Sequence, residues 1–421
     1  MSVTAVWFVC RVSNEAVGQP ASESVRDVSG LSVALEGEVL ATGEATLPYV
    51  VVDASRAPIG AVSEFLRDLV ACDCSPASVR SYAFDLLRWL RFLAAVGVDW
   101  SSASRAEVRD FVAWLRVADN PQRARQRPGR PAPGSVNPRT GKRYLAAGYA
   151  PATINHALSV LAAYYAYHAE AGTGPLVSPV PWAGRGPRAY AHHNPMEPFA
   201  TRRRGAYRQK LERGQPRAIP EELFAELFAT MTCHRDRALL SFYVSSCARR
   251  AELLGMTGAD VDYGEQRIAV ISKGSRLREW VPASPESFVW LALYLAEVPT
   301  LTPDRPLWLT RRPPPRPLTY TAMRAVLGRA NTKLGANLSL HDLRHTGALR
   351  LAHDPAMAIT DVQAVLRHRS LSSTIVYTRE HIEDVIARVH EHYRRPPAPQ
   401  PAGPAWAYES ADLEELFGAP R

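Results

Sequence analysis

Residues 341–345 read HDLRH, and three other stretches in the same half of the chain carry side chains suited to the same chemistry. They read SSCARRAELLGM at 245–256, ISKGSRLREWVP at 271–282 and VLRHRSLSSTIVYTR at 365–379. Arginine forks bind phosphate oxygens, a tyrosine hydroxyl can attack as a covalent nucleophile, and histidine and lysine carry protons. If the fold brings the stretches together, they supply the parts for metal-free phosphoryl transfer. The candidate catalytic set is Arg249, Lys273, His341, Arg344, His368 and Tyr377.

Two other kinds of phosphate chemistry are excluded by the same stretches. They hold no carboxylate cluster of the kind that binds Mg²⁺ in most metal-dependent nucleases. No lysine lies in a glycine-rich phosphate-binding loop, so ATP is not implied. The five cysteines show no zinc-type spacing, and their odd number in a long chain is not typical of a disulfide framework. We therefore expect neither a metal nor another cofactor.

The order and spacing of the four stretches resemble the catalytic boxes of the tyrosine recombinase, or phage integrase, family of site-specific recombinases. HDLRH matches the family's H-x-L-R-H box completely. Lys273 lies 24 residues after Arg249, and Tyr377 follows His368 by nine residues, both at the spacing that is usual in the family. Lys273 is strong evidence, because only four of the 50 basic residues are lysines. The resemblance covers residues 58 to 393.

Two positions depart from the family pattern. Cys247 and Arg367 stand where the family usually has glycine. A cysteine requires either a backbone without strongly positive φ or some strain. We expect the side chain of Arg367 either to contact the DNA backbone or to face solvent. Neither departure removes a catalytic group.

The resemblance implies how the phosphate is held. Arg249 and Arg344 would bind the scissile phosphate and stabilise the charge of the transition state. His368 would hydrogen-bond a nonbridging oxygen. These three residues would therefore act on the phosphate itself.

The resemblance also implies how the strand is cut. Tyr377 would attack the DNA backbone, giving a 3′-phosphotyrosyl intermediate and a free 5′-hydroxyl. Lys273 would protonate the leaving oxygen, and His341 would help to handle the tyrosine proton. His345, the second histidine of its box, is usually a supporting residue and is left out of the catalytic set. The implied activity is site-specific DNA recombination, for integration and excision or for transposition.

The fold implied by the resemblance is mainly α with a small β-sheet: a helical core-binding domain and an α+β catalytic domain that form a clamp on DNA. Helical periodicity, an N-cap at Ser75 and a capping box at Ser104 mark the first domain. Strands are predicted on both sides of the Lys273 turn. The predicted divisions are 1–57, an unassigned N-terminal extension; 58–172, the core-binding domain; 173–215, a basic Pro/Gly-rich linker; 216–395, the catalytic domain; and 396–421, a proline-rich spacer and an amphipathic helix. Within the extension, the stretch LPYVVVD at 47–53 predicts one strand.

The charge of the chain favours a polyanionic partner. The net charge is +9 and the isoelectric point is about 9.4, which favours nucleic acid first and an anionic membrane surface second. Double-stranded DNA is the expected partner. The basic stretches either lie on the DNA or are solvated connectors. The N-terminal residues match neither a signal peptide nor a membrane span, so a soluble cytoplasmic protein is expected. The candidate DNA contacts are Arg123, Arg125, Arg127, Arg130, Arg202, Arg203 and Arg204.

The C-terminal tail carries apolar side chains with nothing local to pack on. A short acidic helix is predicted at 410–417, behind the proline spacer, and Leu413, Leu416 and Phe417 share one of its faces. In the family such a helix often docks on a neighbouring protomer, and strand exchange between two duplexes uses a homotetramer. The tail of this chain either docks in that way or folds back on its own catalytic domain.

Two other functions share part of this evidence. A relaxing enzyme like a type IB topoisomerase has the same tyrosine and arginine chemistry, but its usual accessory regions are not evident. A DNA-binding protein with an idle catalytic set is a further alternative, and the intact Tyr377 argues against it. DNA flanking the gene would separate integration, transposition and chromosome-dimer resolution.

Overall fold

The computed structural model describes residues 26–123, 131–181, 205–211, 216–272, 276–298, 302–378, 382–394 and 409–418. The chain divides into two compact units. The first comprises Met1–Val136 and Arg143–Glu212, and the second comprises Asn137–Lys142 and Arg213–Arg421. No helix within the described ranges is long and apolar enough to cross a membrane.

The described residues of the first unit include four long helices, and local signals set their ends. Ser75 accepts a hydrogen bond from the backbone of the second helix, which ends at Gly97 in the left-handed conformation. The capping box at Ser104 is present as predicted, because the Glu107 carboxylate accepts the Ser104 N–H. The helices are α1 (Gly60–Ala71), α2 (Pro76–Val96), α3 (Arg105–Val117) and α4 (Pro151–Glu170).

The N-terminal extension, unassigned from the sequence, is part of the first unit's core. Strands β1 (Glu38–Ala41) and β2 (Tyr49–Val52) form an antiparallel hairpin, so the strand expected around residue 50 is confirmed. Leu47 and Val51 are buried in the same apolar cluster as the helices. The hairpin thus extends the helical core, since burial of apolar surface drives this packing.

The second unit combines helices with one small sheet. Strands β3 (Val261–Asp262), β4 (Arg267–Ile271) and β5 (Arg278–Pro282) are antiparallel, in the order β3-β4-β5. The two predicted strands beside the Lys273 turn are thereby confirmed. The helices are α5 (Glu221–Thr230), α6 (His234–Ser245), α7 (Arg250–Leu254), α8 (Pro285–Ala296), α9 (Tyr320–Leu334), α10 (Leu340–Ala352), α11 (Ile359–Leu366), α12 (Ile382–Arg394) and α13 (Ser410–Phe417).

A short piece from the basic stretch of the predicted core-binding domain belongs to the second unit. Within Asn137–Lys142, Thr140 hydrogen-bonds Asn337 at 2.5 Å, and the Lys142 ammonium lies 2.6 Å from the Asp342 carboxylate. The Asn137 side chain is buried and donates to the Gly335 carbonyl. The piece therefore packs beside the start of α10, where chain order alone would not place it.

Helix α10 is seated tightly on α6 through a glycine. A side-chain carbon at Gly347 would lie 2.0 Å from the Val244 carbonyl oxygen and 2.7 Å from the Cys247 sulfur. These distances are shorter than van der Waals contact allows, so only glycine permits this approach. The close packing holds Arg344, one helical turn earlier, against the residues that end α6.

Candidate active site

Two arginines of the candidate set are held by backbone carbonyls. The buried Arg344 guanidinium donates to the carbonyl oxygens of Cys247 and of Leu366, the latter at 2.8 Å. Arg249 donates to the carbonyl of Arg367 at 3.4 Å. Burial and the neighbouring positive charges lower the pKa of Arg344 to about 10, which leaves it charged at neutral pH. The backbone carbonyls at the ends of α6 and α11 thus position both cations.

The two positions that depart from the family's glycines supply carbonyls to this arrangement. Cys247 has φ +50° and Arg367 has φ +51°, both in the left-handed region. Of the two expectations for Cys247, the structure shows the strained one, because a side chain in this region costs about 1 kcal/mol relative to glycine. At Arg367 the conformation also ends α11, as left-handed residues commonly do.

The expectation for the Arg367 side chain was wrong. It is only 6% exposed, so it neither faces solvent nor is accessible to a DNA backbone. Its guanidinium instead lies 2.5 Å from the buried carboxylate of Glu252. Burial acts to raise the pKa of Glu252, but the Arg367 charge and the hydrogen bonds from Arg249 outweigh it and hold that pKa below its ordinary value.

The candidate nucleophile is buried beside a histidine. Tyr377 is 4% exposed, and its hydroxyl oxygen lies 2.8 Å from Nδ1 of His345. Burial raises the pKa of Tyr377 despite the nearby Arg344, so the hydroxyl is protonated at neutral pH. Burial and the adjacent His341 lower the pKa of His345 to about 4, so its ring is neutral and can accept the tyrosine proton.

His368 links Arg344 to the segment that carries Tyr377. Its Nε2 atom accepts from Arg344 at 3.3 Å, which leaves Nδ1 to donate to the buried Thr374 hydroxyl at 3.0 Å. Burial and the Arg344 charge lower the pKa of His368 to about 4. The ring is therefore neutral in the absence of an anion, and a bound phosphate would favour its protonated form.

His341 lies one helical turn before His345 and is exposed. Their ring centroids are 4.0 Å apart, whereas the described contacts of the Tyr377 hydroxyl are made by His345. Removal of water by the surrounding protein and the Arg344 charge lower the pKa of His341. Sequence reasoning assigns the tyrosine proton to His341 and sets His345 aside. The signal for His345 was present in the complete HDLRH box, but a motif does not tell which ring faces the hydroxyl.

Several candidate residues lie outside the described ranges: Lys273, Arg125, Arg127, Arg130, Arg202, Arg203 and Arg204. Lys273 follows Ser272, whose hydroxyl hydrogen-bonds Glu279 at the base of the β4–β5 turn. Among the candidate DNA contacts, Arg123 is described, and its guanidinium donates to the carbonyls of Ala146 and Gly148, each at 2.7 Å. Arg123 therefore has a structural use within its own unit.

The described part of the chain contains no group of three or more histidine, cysteine or acidic side chains placed to hold a metal ion. The groups gathered around Tyr377 are instead three arginines, a carboxylate and two neutral histidines. Such a set can neutralise a phosphodiester and accept a hydroxyl proton.

Comparisons with known proteins agree with this geometry. Residues 220–383 match the model of the phage integrase family, and residues 62–127 match the phage integrase N-terminal SAM-like domain. Tyrosine recombinase XerC of Chromohalobacter salexigens is 26% identical over 80% of this chain and 97% of its own length. XerD of Xanthomonas axonopodis pv. citri is 31% identical over 43% of this chain and 65% of its own length. With that XerD and several other curated relatives, the match spans less than two thirds of the relative's length.

Solved structures extend the likeness to the fold. The XerH site-specific recombinase, in a post-cleavage complex with its palindromic difH substrate, aligns over 81% of this chain and 86% of its own. The TM-score is 0.51 and the sequence identity 14%. At that identity the likeness concerns the arrangement of helices and strands.

Proposed function

This chain belongs to the phage integrase family of tyrosine recombinases, and we propose that it is a site-specific recombinase that breaks and rejoins DNA through a covalent 3′-phosphotyrosyl intermediate. The observation that carries the proposal is the short contact between His345 and Tyr377, next to two preorganised arginines. A nucleophile, a proton acceptor and phosphate-binding cations within one site are the minimum for this reaction.

In the proposed first step, the two arginines bind the nonbridging oxygens of the scissile phosphate. Guanidinium N–H groups of Arg344 and Arg249 donate to backbone carbonyls. These N–H groups can also donate to a phosphate, by rotation or as shared hydrogen bonds, without a change in the fold. The negative phosphate raises the pKa of His368, which can then take a proton from water and act as a third donor. Charge that develops on the phosphorus oxygens is thereby met by groups already in place.

In the proposed second step, the Tyr377 oxygen forms a bond to phosphorus as its proton passes to Nδ1 of His345. The bond from phosphorus to the 5′-oxygen breaks, and Lys273 gives that oxygen a proton. The reverse reaction by the 5′-hydroxyl of a partner strand rejoins the DNA. Because the phosphotyrosyl bond retains the energy of the phosphodiester, no nucleotide cofactor is required.

The assembly proposed around this site is a homotetramer on two duplexes. The helical unit would act as the core-binding domain and the second unit as the catalytic domain, and together they would clamp duplex DNA, joined by the basic linker. A chain with +9 net charge suits that partner. We assign the protein to the cytoplasm, with integration, excision or transposition as its biological reaction.

The direct test is covalent trapping on a nicked suicide substrate, read on a denaturing gel. Wild type should form a protein–DNA adduct in the presence of EDTA, and Tyr377→Phe should form none while binding the same DNA. The phenylalanine keeps the buried ring and removes only the nucleophilic oxygen. An adduct formed by the phenylalanine variant, or one that disappears on chelation, would refute the proposal.

A further inference from the structure

Arg367 is an unusual third arginine in the catalytic centre. One of its donors lies 2.5 Å from Oε2 of Glu252, and another donates to the Val365 carbonyl at 2.9 Å. Its Nε atom is buried and makes no hydrogen bond among the described residues. The side chain is therefore committed to the interior of the site, in which burying a cation is costly unless it is paired.

Glu252 is shared between two arginines. Its Oε1 accepts from the Arg249 guanidinium at 2.7 Å, while its Oε2 accepts from Arg367 and from the Arg249 backbone N–H. The Glu252 side chain is only 2% exposed, so water contributes little to its solvation. If Arg367 were absent, the carboxylate would be left with Arg249 as its cation, and a planar guanidinium pairs a carboxylate best with two parallel bonds.

We propose that Arg367 is a positioning residue that occupies one side of the Glu252 carboxylate and thereby leaves the charge and donors of Arg249 available to the scissile phosphate. With both arginines present, the three groups carry a net charge of one positive unit. With Arg249 and Glu252 alone they carry none. This inference rests on the proposed function, because it concerns how the same site receives its phosphate.

The position itself offers a clean substitution. Arg367→Gly removes the guanidinium and places at φ +51° the residue that best tolerates this conformation, so backbone strain cannot explain a loss of activity. A matched control lies in the other unit: Arg56, at φ +67°, pairs with Glu38 at 2.6 Å. Arg56→Gly removes an arginine–glutamate pair from the same kind of backbone, although this pair is exposed, in the unit that does not contain the candidate catalytic residues.

The assay is single-turnover cleavage of two suicide substrates, one with a normal scissile phosphate and one with an uncharged methylphosphonate. On the phosphate, R367G should cleave at least about tenfold more slowly than wild type, because a misplaced donor weakens transition-state stabilisation. On the methylphosphonate, which has one fewer negative oxygen, the rate of R367G should differ from that of wild type by no more than about twofold. R56G should match wild type on both substrates, and DNA affinity should be unchanged in all three proteins.

A second variant protects the test against misfolding and against a purely structural role. Glu252→Gln removes the negative charge that would capture Arg249, so the double variant E252Q/R367G should cleave the phosphate faster than R367G. If R367G is unfolded at the assay temperature, Arg367→Lys should show the same substrate-dependent loss of rate in milder form.

Equal reductions in rate on the two substrates, or unimpaired cleavage of the phosphate by R367G, would overturn the role given to Arg367. The failure of wild type to form any adduct would instead refute the proposed function, so the two results are distinguishable.

Discussion

Nδ1 of His345 lies 2.8 Å from the hydroxyl oxygen of Tyr377. The proton of the tyrosine hydroxyl is therefore within direct reach of a ring that burial keeps neutral. The His341 ring lies edge-on to the His345 ring, with centroids 4.0 Å apart. We therefore expect His345, which was left out of the catalytic set on sequence grounds, to be the first acceptor of the tyrosine proton.

His345→Ala should slow cleavage by about 10²-fold, the usual minimum for loss of a general base, and by more than His341→Ala does. The wild-type rate should not fall appreciably between pH 8 and pH 5 through titration of His345, because this residue accepts a proton only while neutral and its pKa is about 4. Both are measured as single-turnover rates between pH 5 and pH 8, about the range in which the fold is expected to persist. A greater reduction in the His341 variant would assign the proton to His341.

Lys273→Ala should slow cleavage by about 10²-fold or more, as expected for loss of the general acid that protonates the leaving oxygen. A substrate with sulfur at the 5′-bridging position should restore the rate, because a thiolate leaves without a proton. The comparison is the ratio of rates on the two substrates, with His341→Ala as the matched control. Restoration of His341→Ala but not of Lys273→Ala would mean that their roles are exchanged.

Replacement of Arg125, Arg127 and Arg130 together by alanine should lower the slope of log affinity against log salt by about one for each phosphate that these side chains neutralise. Arg123→Ala is the control from the same stretch. Because Arg123 donates to the Ala146 and Gly148 carbonyls, its removal should lower the melting temperature and leave the slope unchanged. An unchanged slope in the triple variant would identify the stretch as a solvated insertion.

Truncation after Pro396 should abolish assembly on paired full sites and leave the binding of one protomer to a half-site near normal. Leu416 and Phe417 are 70% and 83% exposed on α13, so the apolar face is available to a neighbouring protomer. A gel-shift titration separates the two kinds of complex. The full-length double variant Leu416→Asp, Phe417→Asp should reproduce the truncation. Assembly at the wild-type concentration by either protein would exclude docking in trans.

Much of the fold could be predicted because its signals are local. A side-chain cap at Ser75 or Ser104 satisfies backbone groups within three residues, and apolar residues on both sides of the Lys273-Gly274 turn predict β4 and β5. The tail helix is found at Ser410–Phe417, the residues predicted for it. The N-terminal hairpin was only half found, because β1 has no strong pattern of its own and is held by its pairing with β2.

The structure also placed residues that no local signal could place. Lys142 reaches Asp342 across 200 positions of sequence, and the piece around it joins the unit that does not contain its neighbours in the chain. Such a contact depends on the packing of whole elements, whose relative position is not encoded in any short motif. The predicted core-binding domain is one continuous stretch of chain, whereas Asn137–Lys142 within it belongs to the second compact unit.

The sequence by itself determined the chemistry: two arginines, a lysine, histidines and a tyrosine in an order and spacing that resemble one family, and the helices and strands that carry them. Only the tertiary structure decided which groups meet. It placed His345 rather than His341 against Tyr377, and it turned Arg367 inward to Glu252, 115 positions away. The physical reason is that residue types and short-range hydrogen bonds are fixed by neighbours in the chain, whereas the partner of a buried charge is fixed by packing between distant elements.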